Sequence, residues 1–117
     1  MKVQFICYPR CTTCQKAQKW LEEKGVELEI RDIKANNPAY EELKKWYYES
    51  GYDIKRFFNT SGLLYKELEL KNKLPSMTDE EKIRLLATDG MLVKRPIVIA
   101  GDKVLVGFKE NEWNQVF

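Results

Sequence analysis

The feature that most constrains the fold of this chain is a strand–helix–strand pattern at residues 3–33. Residues 3–7 form a short apolar run, which is typical of a buried strand. From Thr12 to Lys24 the apolar side chains recur at helical spacing, and Gly25 follows as a C-terminal cap. Residues 26–33 alternate apolar and charged side chains, which predicts a second strand. A strand, a helix and a strand of these lengths form a βαβ unit, whose two strands are parallel.

The rest of the chain predicts a block of helices, then a hairpin and a closing helix. Patterns typical of helices occupy four segments of the block: residues 37–50, 53–58, 65–71 and 78–88. Residues 96–100 and 104–106 flank a Gly-Asp-Lys turn and predict an antiparallel hairpin. A final helix is expected over 110–117. We therefore predict an α/β fold in a single domain over 1–117, with a helical insertion at about 38–89.

Composition and charge exclude several classes of protein. The 20 basic and 18 acidic residues leave a net charge of +2, which argues against a direct nucleic-acid partner. No stretch approaches ~20 consecutive apolar residues, so no membrane span is expected. The N-terminus becomes polar too early for a signal peptide, which favours a cytoplasmic protein. The absence of histidine removes histidine bases and mixed cysteine–histidine zinc sites.

The cysteines Cys11 and Cys14 lie where the first predicted strand turns into the first predicted helix. Cys11 is expected at the helix N-cap, where free N–H groups and the helix dipole favour a thiolate, the nucleophilic form. Cys14 follows one helical turn later on the same side, so it can close a disulfide with Cys11. A close cysteine pair at this place in a cytoplasmic protein indicates thiol redox chemistry rather than two inert thiols.

A third cysteine, Cys7, opens alternative interpretations. Together the three cysteines have the C-x3-C-x2-C spacing that radical S-adenosylmethionine enzymes use for a [4Fe–4S] cluster. We reject a cluster because those enzymes need a much larger barrel than this chain can build. A zinc site on the three thiolates lacks an obvious fourth ligand. The interpretation we favour for Cys7 is a packed core thiol at the end of the first strand.

Three motifs resemble the arsenate reductase ArsC / Spx family: Cys11 to Ala17, Phe57 to Gly62 and Lys94 to Ile99. The likeness covers residues 2–116, and the motifs occur in the order found in the family. The resemblance implies a thioredoxin-like fold, with a mixed four-stranded sheet and a helical insertion between strands 2 and 3. It also implies a cis proline at Pro96 beside the cysteines, with Arg95 facing the thiolate.

Two kinds of family member suggest different functions. Glutaredoxin-dependent arsenate reductases use one cysteine, matched here by Cys11, and three arginines, of which only Arg95 is matched. Asn59 or a neighbour and the Gly107-Phe108-Lys109 segment stand where the other two are expected. Because an arsenate oxyanion needs arginine forks, we expect arsenate reduction to be poor. Spx-like members are redox-sensing regulators that bind the RNA polymerase α subunit, and Gly51 falls near a glycine that they use there.

The function we predict is that of a thiol–disulfide oxidoreductase. Cys11 attacks, Cys14 resolves, and Arg95 stabilises the thiolate or an anionic substrate. Thr12, Thr13 and Pro96 are assigned a substrate-binding or structural role. No cofactor or metal is expected beyond the redox-active disulfide, with glutathione or a glutaredoxin- or thioredoxin-type donor as reductant. We expect a monomer, and the alternative function is an Spx-like regulator that binds the polymerase α C-terminal domain.

Overall fold

The computed structural model describes residues 2–117, which contain a four-stranded mixed sheet. The strands are β1 (Lys2–Cys7), β2 (Glu27–Asp32), β3 (Ile97–Ala100) and β4 (Lys103–Val106). Their order in the sheet is β2-β1-β3-β4. β1 runs parallel to β2 and antiparallel to β3, which pairs antiparallel with β4. This is the thioredoxin-like α/β arrangement that was predicted, with the βαβ unit at the N-terminus.

Within residues 2–117, six α-helices accompany the sheet, and four of them lie between β2 and β3. They are α1 (Thr12–Glu23), α2 (Tyr40–Ser50), α3 (Leu63–Glu67), α4 (Leu70–Lys73), α5 (Asp79–Leu86) and α6 (Glu110–Trp113). Short 3-10 turns cover Ile54–Phe57, Leu74–Ser76 and Gly90–Leu92. The predicted helical insertion between the second and third strands is therefore confirmed. No helix within residues 2–117 combines the length and the apolar character needed to cross a bilayer.

The segment predicted as a helix over 53–58 is a 3-10 turn over Ile54–Phe57, and the helix predicted from residue 37 begins at Tyr40. Two other predicted helices are interrupted or end early. The segment predicted at 65–71 is two short helices, because Glu69 adopts a left-handed conformation with φ of 54° between α3 and α4. The closing helix predicted over 110–117 ends at Trp113 and continues as turns. The indole N–H of Trp113 donates to the carbonyl of Gly107 at 3.0 Å, which fixes this short helix against the end of β4.

Apolar side chains pack against both faces of the sheet. On one face, Ile6 of β1 and Ile97 of β3 join the buried residues of the insertion, including Phe57 and Leu86. On the other face, neighbouring strand residues join α1 and Trp113; they are Val3, Phe5, Cys7, Val98, Ala100 and Leu105. The alternation of neighbours along β1 and β3 follows the two-residue period of a strand. Cys7 thus lies on the α1 side of the sheet.

Two arginine–glutamate pairs connect the insertion to the rest of the fold. Arg31 at the end of β2 binds Glu42 of α2 through two hydrogen bonds of 2.7 and 2.9 Å. Arg56 in the 3-10 turn binds Glu112 of α6 and also donates to the carbonyl of Val106. In each pair the arginine lowers the pKa of the glutamate by hydrogen bonding to its carboxylate.

At Gly90 the end of the insertion passes close to the backbone that follows β2. It is buried, and a Cβ atom placed on it would lie 1.9 Å from the carbonyl oxygen of Ile33. No side chain larger than hydrogen fits there, because the opposing atom belongs to the backbone. Beyond Gly90 the chain runs through a bridge between Val93 and Phe58 and enters β3.

Candidate active site

The loop between β1 and α1 holds the first cysteine of the pair at the start of the helix. Cys11 is the N-cap residue of α1, as predicted, with φ of −82° and ψ of 119°. Its N–H donates to the carbonyl of Tyr8 at 2.9 Å, and its carbonyl accepts from Gln15 N–H at 3.0 Å. The Gln15 side chain donates to the carbonyl of Pro9 at 2.9 Å. These bonds fix the loop that carries Cys11.

The three cysteine side chains lie close together but differ in exposure. Cys11 is half-buried, whereas Cys14 and Cys7 retain only 2% and 3% of their accessible surface. All three are free thiols. Cys14 makes side-chain hydrogen bonds with both Cys7 and Cys11 and is near the backbone of Tyr8. Cys11 is therefore the most exposed of the three thiols.

The contact between Cys14 and Cys7 changes the acidity of both thiols. The hydrogen bond with Cys7 raises the pKa of Cys14, and burial raises it further. The same hydrogen bond lowers the pKa of Cys7, although burial and the nearby charge of Asp32 oppose this. Of these two thiols, Cys14 is consequently the one that stays protonated to higher pH.

Cys7 is a packed thiol, as predicted, but its contact with Cys14 was not anticipated. The sequence carries a signal for this contact. Since side chains alternate along a strand, Val3, Phe5 and Cys7 share a face of β1. Cys14 and Ala17 lie on the buried side of α1 that covers the same face.

The peptide bond between Arg95 and Pro96 is cis, which confirms that expectation. The guanidinium of Arg95 lies 5.2 Å from the centre of the Tyr8 ring. Its Nε and Nη1 atoms are buried and have no hydrogen-bond partner within residues 2–117. Unpaired buried donors on a cationic side chain are costly and suit an anionic ligand.

Arg95 borders a shallow groove of about 290 Å³ beside the 59–62 turn and α3. Its polar lining includes Asn59, together with the carboxylates of Glu67 and Asp89. Leu63, which is 73% exposed, supplies an apolar wall. The groove is thus lined by one cationic side chain and two acidic ones, rather than by the three arginines of an arsenate reductase site.

Lys94, which directly precedes Arg95, and Lys109, which follows β4, line a different groove. Lys94 and Lys109 border a cavity of about 190 Å³ together with Lys55 and Arg56. Among the described residues, the groove beside Arg95 contains neither lysine. Neither lysine therefore adds its charge to the groove beside Arg95.

The remaining predicted site residues flank the cysteines or support the sheet. Thr12 and Thr13 are exposed in the first turn of α1. Pro96 is buried, and its carbonyl accepts from Gly107 N–H at 2.8 Å at the start of the hairpin. Between Lys2 and Phe117 no group of three or more cysteine, aspartate or glutamate side chains is arranged to hold a metal ion.

Comparison with known proteins identifies the family. The sequence model described as the ArsC family matches residues 7–116. This chain belongs to the ArsC family. A crystal structure of an ArsC family related protein from Bacteroides fragilis superimposes with a TM-score of 0.96 at 56% identity, covering 100% of this chain and 98% of that one.

Curated ArsC-family relatives carry different names. The uncharacterized protein YusI of Bacillus subtilis is 52% identical over 98% of both chains. An arsenate reductase of Neisseria meningitidis serogroup A is 34% identical, over 91% of this chain and 90% of its own length. The global transcriptional regulator Spx of Bacillus subtilis is 28% identical, over 94% and 82% respectively. Membership of the ArsC family thus leaves open whether this chain is an enzyme or a regulator.

Proposed function

We propose that this protein is a thiol–disulfide oxidoreductase of the cytoplasm, with Cys11 as nucleophile and Cys14 as resolving thiol. The observation that carries the proposal is the arrangement of the pair. A half-exposed Cys11 caps α1, and a buried Cys14 one turn later contacts it. The first N–H groups of a helix lack partners within the helix and stabilise a thiolate at its N-terminus.

The reaction follows from this arrangement in two exchanges. The Cys11 thiolate attacks one sulfur of a substrate disulfide, whose S–S bond breaks and releases one half as a thiolate. Cys14 then gives up its proton, which the departing thiolate or water accepts, and attacks the sulfur of Cys11. The second half of the substrate leaves, and the protein holds a Cys11–Cys14 disulfide. Two electrons pass from the protein to the substrate, and glutathione or a glutaredoxin- or thioredoxin-type donor restores them.

Arg95 is proposed to bind an anionic part of the substrate. Its buried Nε and Nη1 atoms have no partner among the described residues, and its side chain lies between the Tyr8 ring and the groove. A carboxylate, as in a glutathione adduct, accepts two parallel hydrogen bonds from a guanidinium. The neighbouring carboxylates of Glu67 and Asp89 disfavour a compact dianion such as arsenate at the same place.

Trapping the mixed disulfide tests the roles of the two cysteines. Cys14→Ser treated with a glutathione mixed disulfide should retain glutathione on Cys11, because the resolving thiol is missing. Mass spectrometry should locate the adduct on the tryptic peptide over residues 11–16. Cys11→Ser is the matched control and should retain none. An adduct on Cys7 in place of Cys11, or no adduct at all, contradicts the assignment.

A regulatory function is the second candidate, and an exposed aromatic residue favours it. Tyr48 on α2 is 70% exposed, three residues before Gly51, which ends the helix with φ of 72°. An exposed aromatic side chain suits a protein contact. A pull-down with the RNA polymerase α C-terminal domain tests this function. Retention that Tyr48→Ala abolishes supports it, and lack of retention contradicts it.

A further inference from the structure

The nucleophilic group that the proposed reaction does not use is Cys7. It lies at the end of β1, buried on the face that α1 covers. Its side chain packs in the same buried cluster as that of Cys14, and the Cys14 thiol lowers the pKa of Cys7. A packed apolar side chain would fill the same space without any such effect. Cys7 is therefore a member of the thiol cluster as well as of the core.

Cys14 is the central sulfur of this cluster. It packs with Cys7 in one buried cluster, and the more exposed Cys11 packs against the same cluster. The thiols of both neighbours affect the pKa of Cys14. Cys14 can therefore form a disulfide with either of two neighbouring cysteines. No equivalent contact joins Cys7 and Cys11 in the described residues.

We propose that Cys7 is a third redox thiol, which attacks Cys14 in the Cys11–Cys14 disulfide and moves the bond to Cys7–Cys14. This proposal rests on the proposed oxidoreductase function and extends it. Cys7 loses its proton to water, the new Cys7–Cys14 bond forms, and the Cys11–Cys14 bond breaks. Cys11 leaves as a thiolate, so no electrons enter or leave the protein in this step. The result is an oxidised molecule whose exposed nucleophile is free again.

The groups around Cys7 affect its ionisation and therefore its ability to attack Cys14. The hydrogen bond from Cys14 favours the thiolate of Cys7. Asp32, which pairs with Cys7 across β1 and β2, opposes this ionisation. The Asp32 carboxylate accepts hydrogen bonds from the N–H groups of Lys34 and Ala35 at 2.8 and 3.2 Å, which hold it in its own loop. Cys11 is the leaving group, at the helix end that stabilises a thiolate.

The chain provides a direct assay for the position of the disulfide. Trypsin cleaves after Arg10 and after Lys16, so Cys7 and the pair Cys11 and Cys14 fall on separate peptides. A Cys11–Cys14 disulfide stays within the peptide 11–16. A Cys7–Cys14 disulfide links that peptide to the peptide 3–10 and leaves Cys11 open to a blocking reagent.

A titration of the reduced protein with excess DTNB, an aromatic disulfide that releases a coloured thiolate, tests the proposal. Two released equivalents correspond to formation of Cys11–Cys14. If the bond moves to Cys7, the freed Cys11 reacts again, so the native protein releases a third equivalent and retains the aromatic group on Cys11. Cys7→Ser and Cys7→Ala, compared because one of them could fold poorly, should each stop at the second equivalent.

The outcomes separate this proposal from the proposed function. Release that stops at two equivalents in the native protein, or a third adduct on Cys7 beside an intact Cys11–Cys14 bond, overturns the role of Cys7 alone. Failure of the Cys7 variants to release a second equivalent overturns the Cys11–Cys14 chemistry.

Cys11→Ser oxidised with diamide should form the link between peptides 3–10 and 11–16 within one chain. Absence of that link also overturns the role of Cys7.

Discussion

The guanidinium of Arg95 lies 5.2 Å from the centre of the Tyr8 ring, so the residue before the cis proline contacts the residue that follows β1. Tyr8 in turn accepts a hydrogen bond from the N–H of Cys11 through its carbonyl. Arg95 is thereby held next to the loop that carries Cys11. Its two buried nitrogen atoms have no hydrogen-bond partner in residues 2–117.

Replacing Arg95 with glutamine should affect anionic substrates selectively. We expect KM for a glutathione-containing disulfide to rise about ten-fold or more, because a charge-assisted hydrogen bond is worth roughly 1.5–3 kcal/mol. KM for a neutral disulfide such as hydroxyethyl disulfide should change little. Lys94→Gln is the matched control, since Lys94 lines the other groove. Equal loss with both substrates would assign Arg95 a structural role instead.

Alkylation should distinguish the three cysteines by exposure. Iodoacetamide should label Cys11 first in the folded protein, because Cys11 is half-buried whereas Cys7 and Cys14 are buried. Peptide mapping at increasing times measures the order. Labelling in denaturant, where burial is lost, is the control and should remove the preference. Equal labelling of all three cysteines in the folded protein would contradict the assignment of the nucleophile.

Arsenate should be a poor substrate. An arsenate dianion exchanges its hydration shell for protein donors, and the groove at Arg95 supplies one guanidinium beside two carboxylates. Without two further arginine contacts the loss amounts to several kcal/mol, or roughly a hundred-fold or more in binding and turnover. The measurement compares glutaredoxin-coupled arsenate turnover with reduction of a small mixed disulfide by the same preparation. Robust arsenate turnover would overturn this expectation.

The pair of Arg56 and Glu112 should make stability depend on pH. Arg56 lowers the pKa of Glu112 in the folded protein, so the stabilisation is present above the unfolded pKa and is lost as pH falls through the folded pKa. Glu112→Gln should lower the free energy of unfolding by about 1 kcal/mol at neutral pH. In urea titrations the difference should begin to shrink below the unfolded glutamate pKa of about 4.3 and should disappear once the pH is below the lowered pKa of folded Glu112.

An exposed pair provides the control for this measurement. Glu80 and Arg84 form an i,i+4 ion pair on α5 with both side chains largely in solvent. Glu80→Gln should therefore change stability less than Glu112→Gln at the same pH. A larger effect of Glu80→Gln, or an effect of Glu112→Gln that persists in acid, would contradict the importance of the Arg56 contact.

Gly90→Ala should destabilise the fold more than Gly51→Ala. The added Cβ of Gly90→Ala meets the backbone oxygen of Ile33, so we expect a loss of about 3 kcal/mol or more. At Gly51 the added atom meets nothing within 4 Å and the cost is that of a left-handed φ of 72°, about 1–2 kcal/mol. Thermal unfolding of both variants measures the difference. The reverse order would contradict the close approach at Gly90.

Local sequence patterns predicted much of the fold, because they depend on neighbours in the chain. The period change after Cys7 predicted β1 and α1, and Thr78 with Glu81 predicted the start of α5, where each accepts from the other's backbone N–H. The break at Glu69 was missed because glutamate has no particular preference for the left-handed conformation. The short closing helix was missed because Trp113 is held by a distant carbonyl.

The candidate site was predictable only in part, for a similar reason. The pairing of Cys11 with Cys14 follows from their spacing on one helix. The contact of Cys14 with Cys7 depends on how α1 lies on the sheet, which no local pattern records. The positions of two other side chains also depend on the tertiary structure. Arg95 lies beside Tyr8 and lines the groove at the 59–62 turn, whereas Lys94 lines the groove that contains Lys109.

The aromatic cluster at the far end of α1 gives this protein an intrinsic spectroscopic probe. Trp20 of α1 makes edge contacts with Phe108, Trp113 and Phe117 at ring-centre distances of 5.8 to 6.3 Å. Indole emission depends on the packing and polarity around the ring, so a shift of α1 on oxidation of Cys14 would alter the fluorescence of Trp20 and Trp113. Redox changes at the cysteines can thus be followed in real time without any attached dye.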